Sequence, residues 1–178
     1  MDHPPAPRES PEHQSHDEAP PYRLPTLGTR GEGWVLIQSA LLSAVIATGI
    51  FGASWPERVR YARLAAAATF GAVGISLMVA GGVSLGRQLT PMPRPHSWSV
   101  LKQTGIYAHV RHPIYGGVIF VAVGWSFLMS PWALMPSATL PILFTLKARV
   151  EEEWLAERFP DYPNYARRVP HRFVPNLW

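Results

Sequence analysis

The sequence predicts an all-α fold, a polytopic bundle of about four transmembrane helices, and three observations predict it. Only 16% of the 178 residues are charged, against roughly a quarter in ordinary soluble chains. Those charges avoid three windows altogether: residues 33–53, 64–86 and 116–146 contain no Asp, Glu, Lys or Arg. Each window reaches or exceeds the roughly 20 residues that a helix needs to cross a bilayer core. The mean hydropathy of +0.02 hides this, because polar ends dilute the apolar middle.

Taken in order, residues 1–30 carry seven of the nineteen prolines, five acidic side chains and three histidines, His3, His13 and His16. With no apolar period to bury, they read as a disordered proline-rich tail. Its irregularly spaced histidines read as solvated side chains, and no metal site is expected. The tail also lacks the basic start and apolar run of a signal peptide. Residues 31–178 form the membrane domain. The first window is flanked by Trp34 and Trp55, placed as interfacial aromatics. In the second, Ala67 with Gly71 and Gly82 with Gly86 give small-xxx-small spacings that let another helix approach closely.

The third window is too long for one upright span, about 46 Å as a straight helix against a core of about 30 Å. It contains Pro131 and Pro136, and proline biases its predecessor away from helix. The reading is a tight hairpin of two short helices, 113–129 and 133–150. One kinked, strongly tilted helix is the alternative. Four spans with the N-terminus inside place the basic loop from Arg87 to Arg111 and the C-terminal segment at the cytoplasmic face, as the positive-inside tendency prefers. Arg58, Arg60 and Arg63 then lie on the other side, against the same tendency.

The chain has no Cys, which excludes disulfides, thiolate nucleophiles and Cys-based metal centres. A pI near 9.8 and a net charge of +4 would suit nucleic acid, but the basic residues sit in short loops beside apolar windows. That pattern fits membrane topology and phospholipid contact. No nucleic-acid module is visible.

Chemistry-bearing residues gather in two segments, 105–117 and 147–175, which the hairpin brings to one membrane face. In the first, Pro113 suits the opening position of a helix, whose free N–H groups and positive dipole end suit an anion. Arg111 and His112 stand beside it, reading either as part of such a site or as interfacial residues touching lipid phosphates, and Gly116 and Gly117 leave room for a ligand at the backbone. In the second, Glu151, Glu152 and Glu153 read either as a solvated helix face paired with Lys147, Arg149 or Arg158, or as carboxylates turned inward to accept hydrogen bonds from a ligand and favour a cationic group. Consecutive residues lie about 100° apart on a helix, so Glu151 and Glu152 at most bracket a ligand. Leu155 and Phe159 form an apolar face, and Pro160 and Pro163 break the helix. Tyr162, Tyr165, Arg167, Arg168, His171 and Arg172 follow as a lid on the membrane surface. Arginines there suit an acceptor carboxylate.

Gly105, Tyr107, the run Arg111-His112-Pro113-Ile114-Tyr115-Gly116-Gly117, then Glu151 to Leu155, Phe159, Tyr162, Tyr165 and Val169-Pro170 resemble the isoprenylcysteine carboxyl methyltransferase and phospholipid methyltransferase superfamily. The resemblance covers residues 105–175. It implies an integral-membrane, multi-pass methyltransferase using S-adenosylmethionine near the cytosolic surface. Its cofactor-binding residues would be Tyr107, His112, Tyr115, Gly117, Glu151 and Glu152. Arg111, His112, Arg168 and Arg172 would be the catalytic candidates, the last two, with Arg149, on the acceptor side. The acceptor would be a lipid or lipidated apolar molecule, best an isoprenylcysteine-like carboxylate. Phe159-Pro160-Asp161 stands where the family often has Phe-Gly, which leaves the acceptor open. The alternatives are a phospholipid amine N-methyltransferase, a steroid-reductase-like membrane oxidoreductase, and a non-catalytic membrane subunit or small-solute transporter. The absence of charge within the spans weighs against transport.

Overall fold

A computed structural model describes residues 24–175. The tail reading for residues 1–23, with His3, His13 and His16, lies outside the described residues. The described elements are helical: α1 (Glu32–Phe51), α2 (Arg60–Leu85), α3 (Pro113–Met129), α4 (Leu134–Arg158) and the short α5 (Tyr162–Arg168), joined by loops and single 3-10 turns. No strand occurs among the described residues. α1 and α2 are long and apolar enough to cross a membrane. Side chains such as Leu36, Val83 and Ile142 stand 71%, 78% and 64% exposed. Apolar surface of that extent is costly in water and ordinary against lipid.

The third window is a hairpin of two helices. Pro113 occupies the first turn of α3, where its missing N–H leaves no bond unmade. Ser130, extended at φ −153° and ψ 140°, ends the helix. Its hydroxyl donates to the Ala53 carbonyl at 2.7 Å and accepts from the Trp132 N–H at 3.2 Å. α4 then runs back beside α3. Its core face, Leu140, Phe144 and Ala148, meets Ile119 and Ala122 of α3, Val45 of α1, and Phe173.

Two proline readings need correction. Pro136 lies in the first turn of α4 and Pro163 in that of α5, where an N–H has no intrahelical acceptor to lose, so neither breaks a helix. The proline inside a helix is Pro141 in α4. The glycine spacings are also reassigned. A Cβ at Gly74 would lie 2.7 Å from the Gly117 carbonyl oxygen, and one at Gly81 would lie 2.7 Å from Ile114, whereas one at Gly82 meets only Leu89 at 4.0 Å and one at Gly86 meets nothing. The α2–α3 seam therefore runs through Gly74 and Gly81, with Ala67 and Gly71 against Gly124, and not through the Gly82/Gly86 pair. Gly86 instead closes α2 with φ +54°.

The end of the bundle away from the site explains its basic loop. Arg63 donates to the Leu128 carbonyl at 2.8 Å, in the last turn of α3 where carbonyls lack helical donors, and the Trp55 indole donates at 2.9 Å to the Ser126 carbonyl, which also accepts from the Ser130 N–H at 3.1 Å. At the opposite end the loop after α2 lies beside residues 29–31. Arg94 donates to the Thr29 carbonyl at 2.9 Å, and Pro93 and Trp154 flank Gly31.

Candidate active site

The hairpin sets the first turn of α3 against the polar end of α4. Arg111 donates through Nε to Glu152 at 3.0 Å and through Nη1 to the Val169 carbonyl at 2.5 Å. Arg172 donates to the same carboxylate through Nε at 3.2 Å and Nη2 at 3.0 Å. His112, 6% exposed, places Nε2 3.1 Å from Glu152 and Nδ1 3.8 Å from Glu151. What the consecutive glutamates bracket is the His112 ring and not a ligand. They do not form a solvated face paired with Lys147, Arg149 or Arg158. Burial by itself raises the Glu152 carboxyl, but the His112 hydrogen bond and charge, with those of Arg172 and Arg111, outweigh it and hold the group well below the usual carboxylate range.

His112 stacks on Tyr115 with centroids 5.3 Å apart and planes 1° from parallel, and Tyr115 stacks in turn on Phe144 at 4.8 Å. The Tyr115 hydroxyl donates to Glu151 at 2.6 Å. The C-terminal segment locks this arrangement through backbone bonds from Arg111 N–H to the His171 carbonyl at 3.0 Å and from His112 N–H to the Arg172 carbonyl at 2.7 Å.

These groups border a cavity of about 390 Å³, within the roughly 300–1,000 Å³ of small-molecule sites. Tyr107, Arg111, His112, Tyr115 and Glu151 line it. Leu85, Ile114, Val118 and Phe144 supply an apolar part of the same lining. The other predicted residues sit elsewhere. Glu152 stands behind the wall and holds Arg111, His112 and Arg172. Gly117 meets Met78 and the Gly74 carbonyl of α2, and Gly116 meets the Phe173 carbonyl, so both glycines serve chain-to-chain packing rather than ligand approach. Arg168 is exposed on Gln103 at 2.5 Å, Arg149 is exposed, and neither lines the cavity, nor does Arg172.

Three contributors escaped sequence reasoning. The loop Thr90 to Pro95 roofs the cavity. Lys147, read as a solvated partner of the glutamates, is fully buried; it donates to Gln38 at 2.6 Å and to the Pro91 carbonyl at 2.9 Å. Its Nζ also lies 5.1 Å from the Tyr115 ring centre, in reach of a cation–π contact. Lys102 lines the outer wall. Gln38, the most polar residue of the first apolar window, was the one available hint of a buried donor. Among the described residues no three His, Cys, Asp or Glu side chains gather as a metal-holding group.

The sequence profile of the phospholipid methyltransferase family matches residues 62–162. Protein-S-isoprenylcysteine O-methyltransferase of Schizosaccharomyces pombe is 36% identical over 74 residues, 40% of this chain and 31% of that protein. Cobalt-zinc-cadmium resistance protein CzcN of Cupriavidus metallidurans is 29% identical over 113 residues, 61% of this chain and 49% of that protein. The chain spans about half or less of the length of these relatives.

Proposed function

The chain belongs to the phospholipid methyltransferase family, and on that premise we propose that it moves a methyl group from S-adenosylmethionine to the carboxylate of a membrane-resident acceptor of isoprenylcysteine type. The observation that carries this reading is one cavity with two characters. Arg111, His112, Tyr115 and Glu151 supply polar lining, while Leu85, Ile114, Val118 and Phe144 supply apolar lining suited to a lipid chain. The reading includes four spans, with the cavity at the cytoplasmic face.

The residues fit the donor. Glu151 presents a carboxylate to the cavity, suited to an ammonium or sulfonium, and Arg111 at the start of α3 suits a carboxylate. When bound, S-adenosylmethionine supplies an electrophilic methyl group on a sulfonium. The chain's task is then to hold, align and keep water out. Tyr115 fixes the orientation of Glu151, and Glu152 fixes Arg111 and His112. The roof loop, tied to α4 through Lys147, closes the polar wall from above. An acceptor carboxylate is ionised at neutral pH and needs no base, and Lys102 is the cation best placed to meet it. Arg172 acts indirectly, through Glu152, and Gly117 through the closeness of α2.

Calorimetric titration of the detergent-solubilised chain with S-adenosylmethionine tests the donor. The wild type binds, and His112→Ala and Glu151→Ala each weaken affinity at least about tenfold, or 1.4 kcal/mol. Unchanged affinity in both moves the site elsewhere. Labelled donor with a total-membrane extract tests the acceptor. Label released by mild base marks a carboxyl ester, and base-stable label on a phospholipid marks amine methylation.

A further inference from the structure

One tyrosine of the cavity lining carries a buried hydroxyl that the protein does not use. Tyr115 and Tyr165 also line the cavity, and both have partners: Tyr115 donates to Glu151 at 2.6 Å and Tyr165 to the Tyr107 carbonyl at 2.8 Å. Tyr162 packs edge-on against Tyr165 with centroids 5.8 Å apart, is 4% exposed and lines the same cavity. Its hydroxyl is buried and meets no hydrogen-bond partner among the described residues.

A buried hydroxyl without a partner is costly, and native structures rarely keep one without a reason. Packing is no reason here. The ring sits in an apolar cluster with Tyr165 and Val169, against which Leu101, Leu155 and Phe159 pack, and a phenylalanine would fill that cluster equally well. Burial first, and then the neighbouring Glu152 charge, push the phenol well above its usual range, so at neutral pH it carries its proton and can both donate and accept.

We infer that Tyr162 is a further binding residue for the methyl donor, its hydroxyl brought by a small shift of the ring to a hydrogen bond with the donor's polar groups when the cavity is filled. The inference rests on the donor reading above. It concerns a residue of α5, outside the Arg111-to-Gly117 and Glu151-Glu152 groups on which that reading was built, and it gives the C-terminal segment a direct part in recognition.

The test compares the full-length wild type, Tyr162→Phe and Tyr165→Phe in detergent, measuring S-adenosylmethionine affinity by calorimetry and the melting temperature of each ligand-free protein. Tyr162→Phe weakens affinity roughly three- to tenfold, the span of one hydrogen bond, while its ligand-free melting temperature stays level or rises. Tyr165→Phe, which strips the Tyr107 carbonyl of a donor, melts lower. Unchanged affinity in Tyr162→Phe overturns the inference, with the hydroxyl then serving water or the acceptor. A lower ligand-free melting temperature for Tyr162→Phe overturns it as well, since the hydroxyl would then have a partner in the empty protein. A wild type that binds no donor fails the functional reading itself, whereas binding that Tyr162→Phe leaves intact fails only the inference.

Discussion

Glu152 accepts hydrogen bonds from Arg111 and Arg172 and faces His112 Nε2, so it fixes the shape of the polar wall without lining it. Glu152→Gln keeps the size but strands two guanidinium groups, one of them, Arg111, only 7% exposed at the side chain. The expected cost is about 2–4 kcal/mol, below the full penalty for a broken buried pair because Arg172 is partly solvated. The pH dependence follows from the direction of the shift. The folded carboxyl titrates below its unfolded value, so its stabilisation is complete above the unfolded pKa of about 4.3 and is lost as pH falls through the folded value. Melting curves of wild type and Glu152→Gln should stay separated from pH 7 to about pH 5 and converge only below about pH 4. Convergence already near pH 6 would contradict the assignment. The residues of this wall were legible in the sequence only as an ordered pair of segments, since an Arg-His pair alone also reads as an interfacial lipid contact and a run of three acids as a solvated helix face. Lys147 was not. Four positions before Glu151, it has the spacing of a solvated ion pair, and its burial depends on α1 and the roof loop, which no local pattern encodes.

At the scale of the element, α3 was legible to the residue, since Pro113 and Ser130-Pro131 mark its ends by backbone chemistry alone. The inward face of α2 was not. A helix apolar on every side has no amphipathic contrast to show which glycines meet a neighbour, and the Gly82/Gly86 pair has the same spacing as a true seam. The structure separates them. A methyl at Gly74 would sit 2.7–2.8 Å from the Gly117 carbonyl and Val121, forcing α2 and α3 apart, whereas one at Gly82 has room. Gly74→Ala should therefore destabilise by about 1–3 kcal/mol, as overpacking does. Gly82→Ala should be neutral or stabilising by up to about 1 kcal/mol through helix propensity. Melting temperatures in one detergent decide the matter, and equal effects at the two positions would refute the seam.

At the scale of the whole molecule, the site exists because the loop after α2 and the polar end of α4 share one end of the bundle. The sequence made that much readable through the hairpin, but it did not show that residues 29–31 join the same end, since their contacts with Pro93, Arg94 and Trp154 depend on how α1 packs against α4. If each of α1 to α4 crosses the bilayer, as proposed, Glu57 and Trp132, at the turns between α1 and α2 and between α3 and α4, lie on the membrane side opposite Trp98 and His109. The absence of cysteine from the chain makes a single introduced cysteine an unambiguous reporter. Trp98 and Trp132 are 56% and 59% exposed, and Glu57 and His109 are exposed as well, so substitution there leaves the core intact and removes only surface contacts such as the His96–Trp98 stack. In sealed vesicles of one orientation, a membrane-impermeant maleimide should label Trp98→Cys and His109→Cys together from one side, and Glu57→Cys and Trp132→Cys only from the other or after permeabilisation. Equal labelling of all four from a single side would mean that the long helices do not cross the bilayer, and the apolar wall of the cavity would then have no lipid acceptor to admit.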